Sequence, residues 1–181
     1  MIVDQRLVTY INSLDKGNTA FLNELERKAL RDHVPIIRRE TQSLLKMLLQ
    51  LKRPSRILEV GTAVGFSALL MYTYGPEDCQ ITTIENYEKR IPIARENFRK
   101  AGADKRITLL EGDAQEILKT LEGSYDFIFM DAAKGQYIHF CPEVLRLLDK
   151  GGLLVSDNVL QGGDIIESHF AVERRNRTIY K

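Results

Sequence analysis

The sequence predicts a doubly wound α/β fold, a parallel sheet covered by helices on both faces. Three observations predict it. Five short, apolar, β-rich runs recur after residue 54. Helix-period stretches separate them. Each run ends on or beside an acid or a glycine. Strands alternating with helices at this spacing make βαβ units, whose crossovers are right-handed and leave helices on both faces.

The elements follow in order. The first fifty residues read as helices. "DQRLVTYINSL" and "NELERKALRDHV" carry apolar residues at three- and four-residue spacing, and after Pro35 "IIRRETQSLLKMLLQLK" keeps that period up to Pro54. The strands are "RILEV" (56–60), "QITTIE" (80–85), "RITLLEG" (106–112), "YDFIFMD" (125–131) and "GLLVSD" (152–157). Between them "GFSALLMYTY", "YEKRIPIARENFRKAG", "AQEILKTLEG" and "QYIHFCPEVLRLLDKGG" read as helices, several closing on glycine, a helix stop. The chain of 181 residues suits one domain. Residues 1–53 form a helical segment packing on a core of 54–181.

Composition narrows little. Hydrophobic residues make up 44% and charged residues 28%, ordinary for a globular protein. The net charge of +1 argues neither for nor against nucleic acid. Cys79 and Cys141 stand in no metal or redox spacing and read as idle thiols in a reducing compartment. "MIVDQRLVTYINSLDKG" lacks a continuous apolar region, so it is not a secretion signal, and no apolar run is long enough for a membrane span. The expected location is cytoplasmic.

In such sheets ligands bind beyond the carboxyl ends of the strands. The predicted ends bring Glu59 and Gly61, Glu85, Asp113, Asp131, and Asp157 with Asn158 to one edge. One such acid is commonly a helix N-cap; five point to a ligand edge. "LEVGTAVGFSALL" (58–70) is a glycine turn between strand and helix, with the pattern Glu-x-Gly-x-x-x-Gly. That is not the Gly-x-Gly-x-x-Gly of dinucleotide sites, which argues against a nicotinamide cofactor. Gly61 and Gly65 permit close approach of a ligand to backbone. Glu85 ends the next strand, where an acid accepts from ribose hydroxyls, and Asp113-Ala114 could receive an adenine edge. The loop carries no Lys or Arg, which argues against a triphosphate. Ribose and adenine sites without a phosphate grip, set in an acidic rim, suit S-adenosylmethionine, whose sulfonium is a cation.

Asp131 and Asp157-Asn158 supply two carboxylates and an amide oxygen. If their strands are neighbours, these hard donors fit Mg²⁺, or Ca²⁺ or Mn²⁺, with about three positions left open. The competing reading makes the two aspartates helix caps and puts Asn158 in a turn.

"ILEVGTAVGFSA", "TIE", "GDA", "FMDAAKGQY" and "SDNVL", in this order and spacing, resemble the class I S-adenosylmethionine-dependent O-methyltransferases of the catechol and caffeoyl-CoA type, over roughly residues 35–160. Within that family "HVPI" (33–36), "DAAKGQY" and "DNVL" most resemble the bacterial tRNA 5-hydroxyuridine methyltransferases. The resemblance implies a Rossmann-like sheet. It also implies cofactor contacts from Glu59, Gly61, Gly65, Ser67, Glu85, Asp113, Ala114 and Asp131. The same three metal ligands follow, with Lys134 as general base beside Asp131 and, usually, a homodimer. It further implies two strands after the fifth, closing the sheet in antiparallel fashion. Nothing after Asn158 reads as a strand pair, so the chain is expected to lack them.

A chelating metal asks for vicinal oxygens on the acceptor. Catechols have them, and so does 5-hydroxyuridine, through its 5-hydroxyl and 4-carbonyl. Binding tRNA would also need phosphate contacts. Candidates are Arg31, Arg38, Arg39, Lys52 and Arg53, and the cluster Arg174, Arg175 and Arg177, which reads equally well as a solvated face. Arg38 or its neighbours could instead line the methyl-donor site. Phe66, Tyr137 and Phe170 could stack on a base. The leading expectation is O-methylation of wobble 5-hydroxyuridine to 5-methoxyuridine. The alternatives are the same chemistry on a catechol-like or caffeoyl-CoA-like compound, and a non-catalytic RNA- or nucleotide-binding module.

Overall fold

The computed structural model describes residues 4–160, with Lys134 described in its backbone only. Three helices lead: α1 (Gln5–Ser13), α2 (Ala20–Arg31) and α3 (Arg39–Lys52). The alternation then runs β1 (Arg56–Val60), α4 (Phe66–Tyr74), β2 (Gln80–Glu85), α5 (Ile91–Lys100), β3 (Ile107–Glu111), α6 (Ala114–Thr120) and β4 (Tyr125–Met130). A 3₁₀ turn (Lys134–Gln136), α7 (Tyr137–Leu147) and β5 (Leu148–Ser156) complete it. All four strand pairings are parallel, in the order β3-β2-β1-β4-β5. The chain winds outward one way from β1 and the other way from β4, so the winding reverses between those two strands. The place where an antiparallel pair would follow lies outside the described residues. Among the described residues no helix is long and apolar enough to cross a membrane.

The period-2 pattern of the strands builds two cores. Ile57, Phe127 and Phe129 face one side, with Leu22, Leu25, Leu45, Leu49 and Phe66 from the helices. Leu58, Val60, Ile128 and Met130 face the other, with Leu118, Val144 and Leu147. Burying each large apolar side chain stabilises by roughly 1.5–3 kcal/mol. The leucines of α2 and α3 share a core with β1 and β4, so these two helices are packed into the sheet domain, while α1 buries no residue in it.

Several boundaries differ from the sequence expectation, and two of the shifts have a visible tertiary cause. The third helix begins at Arg39 rather than Ile36. Ile37 is 3% exposed, and its carbonyl accepts from the Gln42 Nε2 amide at 3.1 Å, which holds the stretch after Pro35 as a strap rather than a first turn. The fifth strand begins at Leu148 rather than Gly152. Its register against β4 jumps from Tyr125↔Leu148 to Phe127↔Leu153, and this irregularity absorbs the Asp149–Gly152 stretch. Cys79 is buried, which pushes its thiol up to about 11 and keeps it protonated at neutral pH.

Candidate active site

The parallel ladder continues one residue past the strands. The backbone N–H of Gly61 donates to Ile84 O (3.1 Å), that of Asp131 to Val60 O (3.0 Å), that of Asp157 to Met130 O (3.0 Å) and that of Gly112 to Glu85 O (2.9 Å). These bonds line up the acid-bearing ends in one row. At the reversal point a cavity of about 910 Å³ opens above them. Its wall includes Gly61, Ser67, Glu85, Asp113 and Ala114 on one side, and Asp131, Asp157 and Asn158 on the other. The strap contributes Pro35 through Arg38, as the sequence suggested for Arg38.

Gly61 has φ +103°, and a Cβ there would collide with the Asp131 carbonyl oxygen. The loops after β1 and β4 therefore touch at this point, which only glycine allows. Glu85 joins the β1 loop to its own. Its Oε2 accepts from the Ala63 N–H at 2.6 Å, and its Oε1 from the N–H groups of Tyr87 (2.8 Å) and Asn86 (3.1 Å). Asp113 caps α6, accepting from Gln115 N–H at 2.7 Å, and still faces the cavity. Here the cap and the ligand-edge readings describe the same residue.

Two expected cofactor residues, Glu59 and Gly65, do not form part of the cavity wall. Gly65, with φ +84°, turns the chain into α4, and a Cβ there would lie 2.5 Å from the Phe98 ring. Close packing of α4 against α5 accounts for this glycine. Glu59 lies beneath the floor, with 0% exposure. Its Oε2 accepts from Thr83 Oγ1 at 2.5 Å. Thr83 has one proton to give, so Thr62 Oγ1, also 2.5 Å away, donates to Thr83. Glu59 Oε1 has no partner in hydrogen-bonding geometry, although Ser67 is near enough to favour the charged form. Burial pushes the carboxyl up to about 7. The Ser67 and Thr83 hydroxyls oppose this, and the charges of Asp131 and Glu85 add to it.

Asp131 and Asp157 stand side by side because β4 and β5 pair directly, Met130 against Ser156. Asp157 Oδ1 accepts from Thr41 Oγ1 on α3 at 3.2 Å, and Oδ2 from Asn158 Nδ2 at 3.0 Å. Asn158 takes φ +56°, which asparagine tolerates better than most residues. Two carboxylates and an amide oxygen are a hard donor set on the wall of an open cavity, and they could hold Mg²⁺ with positions left for water and a ligand. Among the described residues no group of three or more His, Cys, Asp and Glu gathers, so any third protein donor here would be the Asn158 amide oxygen. Lys134 opens the 3₁₀ turn three residues after Asp131.

The structure revises the other sequence candidates. Phe66 is 2% exposed and packs in the core, and it also forms part of the cavity wall. Tyr137 points its hydroxyl at Met130 O (2.9 Å) and Asp157 O (3.2 Å), clamping the ends of β4 and β5 together, and it is not part of the cavity wall. Lys52 donates to Gly151 O (3.0 Å) near the start of β5, and Arg53 follows it; this is the sheet edge away from the cavity, so neither reaches its mouth. Arg31 pairs with Asp32, and Arg39 with Glu26. Phe170, Arg174, Arg175 and Arg177 lie outside the described residues. Thr41, Thr62 and Thr83 were not anticipated. A threonine in a helix or a strand gives no sequence signal of a buried acceptor across the fold.

The O-methyltransferase family model matches residues 12–180. A catechol O-methyltransferase of Niastella koreensis is 33% identical over 129 residues, covering 69% of this chain and 58% of that protein. A caffeoyl-CoA O-methyltransferase of Medicago sativa is 33% identical over 147 residues, covering 76% and 58%. The chain thus spans little more than half the length of the curated relatives it matches. The structure of a Podospora anserina methyltransferase with S-adenosylhomocysteine bound superposes with a TM-score of 0.82 at 34% identity, covering 89% of this chain and 71% of that one. The family model covers most of the chain, and the chain belongs to the O-methyltransferase family.

Proposed function

We propose that the protein transfers the methyl group of S-adenosylmethionine to a hydroxyl that has a second oxygen beside it. The observation that carries this reading is the pairing of β4 with β5, which sets Asp131, Asp157 and Asn158 on one wall of the cavity that Gly61, Ser67, Glu85 and Asp113 line on the other. Glu85 and Asp113 would accept hydrogen bonds from the nucleoside, and the close turn at Gly61 leaves backbone at the methionine end. A divalent ion at Asp131, Asp157 and Asn158 would act as a Lewis acid that lowers the acceptor hydroxyl's pKa. Lys134, once its amine is neutral, would take the hydroxyl proton, the role the family resemblance implies for it. The acceptor oxygen would then bond to the methyl carbon as the carbon–sulfur bond broke, with S-adenosylhomocysteine as the leaving group. Holding the two reactants in line supplies much of the acceleration.

For the acceptor we favour 5-hydroxyuridine at the tRNA wobble position. Its vicinal oxygens match the donor set, and Arg38 on the cavity wall supplies a cation for a neighbouring phosphate. A catechol-like acceptor is the second reading, favoured by the names of the curated relatives. The test offers labelled S-adenosylmethionine and Mg²⁺ with 5-hydroxyuridine-containing tRNA and, separately, a catechol panel. Transfer to tRNA alone supports the first acceptor, and transfer to catechols alone supports the second. Asp157→Ala should abolish transfer while leaving S-adenosylhomocysteine affinity nearly intact by calorimetry. Full activity in that variant, or in excess EDTA, would refute the chelate.

A further inference from the structure

The geometry points to a second ligand site, beside the first, that takes a nucleotide-type ligand: a phosphate together with a flat heterocyclic ring whose face can lie on an apolar floor. A cavity of about 340 Å³ opens between α2 and the start of α5. Small-ligand sites run from about 300 to 1,000 Å³, so it has room for one compact molecule. Its floor is apolar, formed by Leu25 and Ala29 of α2 with Val34 and Val64. Its rim carries Lys28, Lys89 and Arg90.

That rim is unneutralised. Among the described residues none of these three cations takes part in an ion pair. The one carboxylate at the rim, Asp32, is engaged by Arg31 at 3.5 Å. Lysines on a helix surface are usually only solvated. Here three positive groups from two different elements converge on one apolar opening, where low-dielectric walls focus their field. An anion that also carries a flat ring satisfies both parts of the site, the ring face on the apolar floor and the phosphate among several donors at the rim. The Arg90 guanidinium lies 5.1 Å over the Tyr87 ring, so a flat group meets a stacked surface at the entrance.

The cavity shares Tyr87 and Arg90 with the larger one, so an adenosine compound would be a confusing probe. The test therefore uses the full chain with the first cavity saturated by S-adenosylhomocysteine, and titrates uridine 5′-monophosphate by calorimetry. Uridine and inorganic phosphate serve as controls. This design borrows the cofactor reading, and S-adenosylhomocysteine binding is measured first; if it is absent, that reading fails and the titration is run without it. The expected result is binding of the monophosphate about tenfold tighter than either control. The double variant Lys28→Glu, Lys89→Glu should weaken it by about tenfold or more, with S-adenosylhomocysteine affinity changed less than about twofold. Equal binding of inorganic phosphate, equal binding of uridine, or an unchanged double variant would each overturn the proposal. A short oligouridylate that binds tighter than the monophosphate, with steeper salt dependence, assigns the phosphate to an RNA chain; equal affinity assigns it to a free nucleotide.

Discussion

Replacing Glu59 with Gln should make the protein more stable at neutral pH and flatten part of its pH dependence. The wild-type carboxyl is fully buried, and burial raises it from an ordinary 4.5 to about 7. A carboxyl raised in this way costs stability once it must ionise. Below the unfolded value both folded and unfolded chains hold the proton, and nothing is lost. Between about 4.5 and about 7 the unfolded chain releases it and the folded chain does not, so stability falls as pH rises. Each pH unit across that window costs about 1.4 kcal/mol, and above about 7 the deficit levels off near 3 kcal/mol. The deficit is about 1 kcal/mol at pH 5 and about 3 kcal/mol at pH 8. Gln keeps the shape. Its carbonyl accepts from Thr83, and its amide can donate to the Ser67 hydroxyl, which accepts as well as donates. Urea unfolding of both proteins at pH 5 and pH 8 measures the difference, in which the other titrating groups cancel. Going from pH 5 to pH 8, the midpoint of the wild type should drop by about 1 M more than that of the variant, taking about 2 kcal/mol per molar. Parallel pH profiles would refute the argument and mean that Glu59 is ionised when folded.

Gly61→Ala should cost several kcal/mol, on the order of 3, and remove S-adenosylhomocysteine binding, because its Cβ meets the Asp131 carbonyl at a positive φ; a melting temperature within about 2 °C of wild type would contradict this. Thr41→Val should leave the fold intact and weaken Mn²⁺ binding, read by calorimetry, by about fivefold, since it removes one hydrogen bond worth about 1 kcal/mol from the Asp157 carboxylate; equal or tighter Mn²⁺ binding would show that Thr41 does not orient it.

The fold was legible because its signals are local. β1 and β2 fall on the expected residues, and β4 ends one residue short, since each is a short apolar run bounded by turns. The misplaced boundaries have non-local causes. Ile36 and Ile37 fit a helical period, and nothing nearby in sequence reveals that Ile37 packs into the core shared with β1 and β4 or that the strap walls a cavity. The start of β5 depends on a register jump against β4, which no property of "LDKGG" announces. The site divides in the same way. The acids at strand ends could be placed from topology alone, because parallel strands present their carboxyl ends together. The floor beneath them could not. Glu59 reads as one more strand-end acid, yet β-strand alternation puts it on the face of Ile57, and it lies fully buried beneath the cavity floor. Gly65 likewise reads as a ligand glycine, and the Phe98 ring is what requires it.

The N-terminal helices also take on a role that a division at residue 53 would hide. Helix α3 is tied to β5 twice. Lys52 near its last turn reaches Gly151 near the start of the strand, and Thr41 in its first turn reaches Asp157 just past the end. Between these ties Leu45 and Leu49, both fully buried, fix the helix on the same core that carries β1 and β4. The position of one candidate metal ligand is therefore set from both sides. The β4–β5 ladder and the Tyr137 clamp fix its backbone, and a helix anchored in the hydrophobic core fixes its carboxylate. A carboxylate held by such packing needs less ordering when an ion arrives than one on a free loop, and the N-terminal helices are in that sense part of the site.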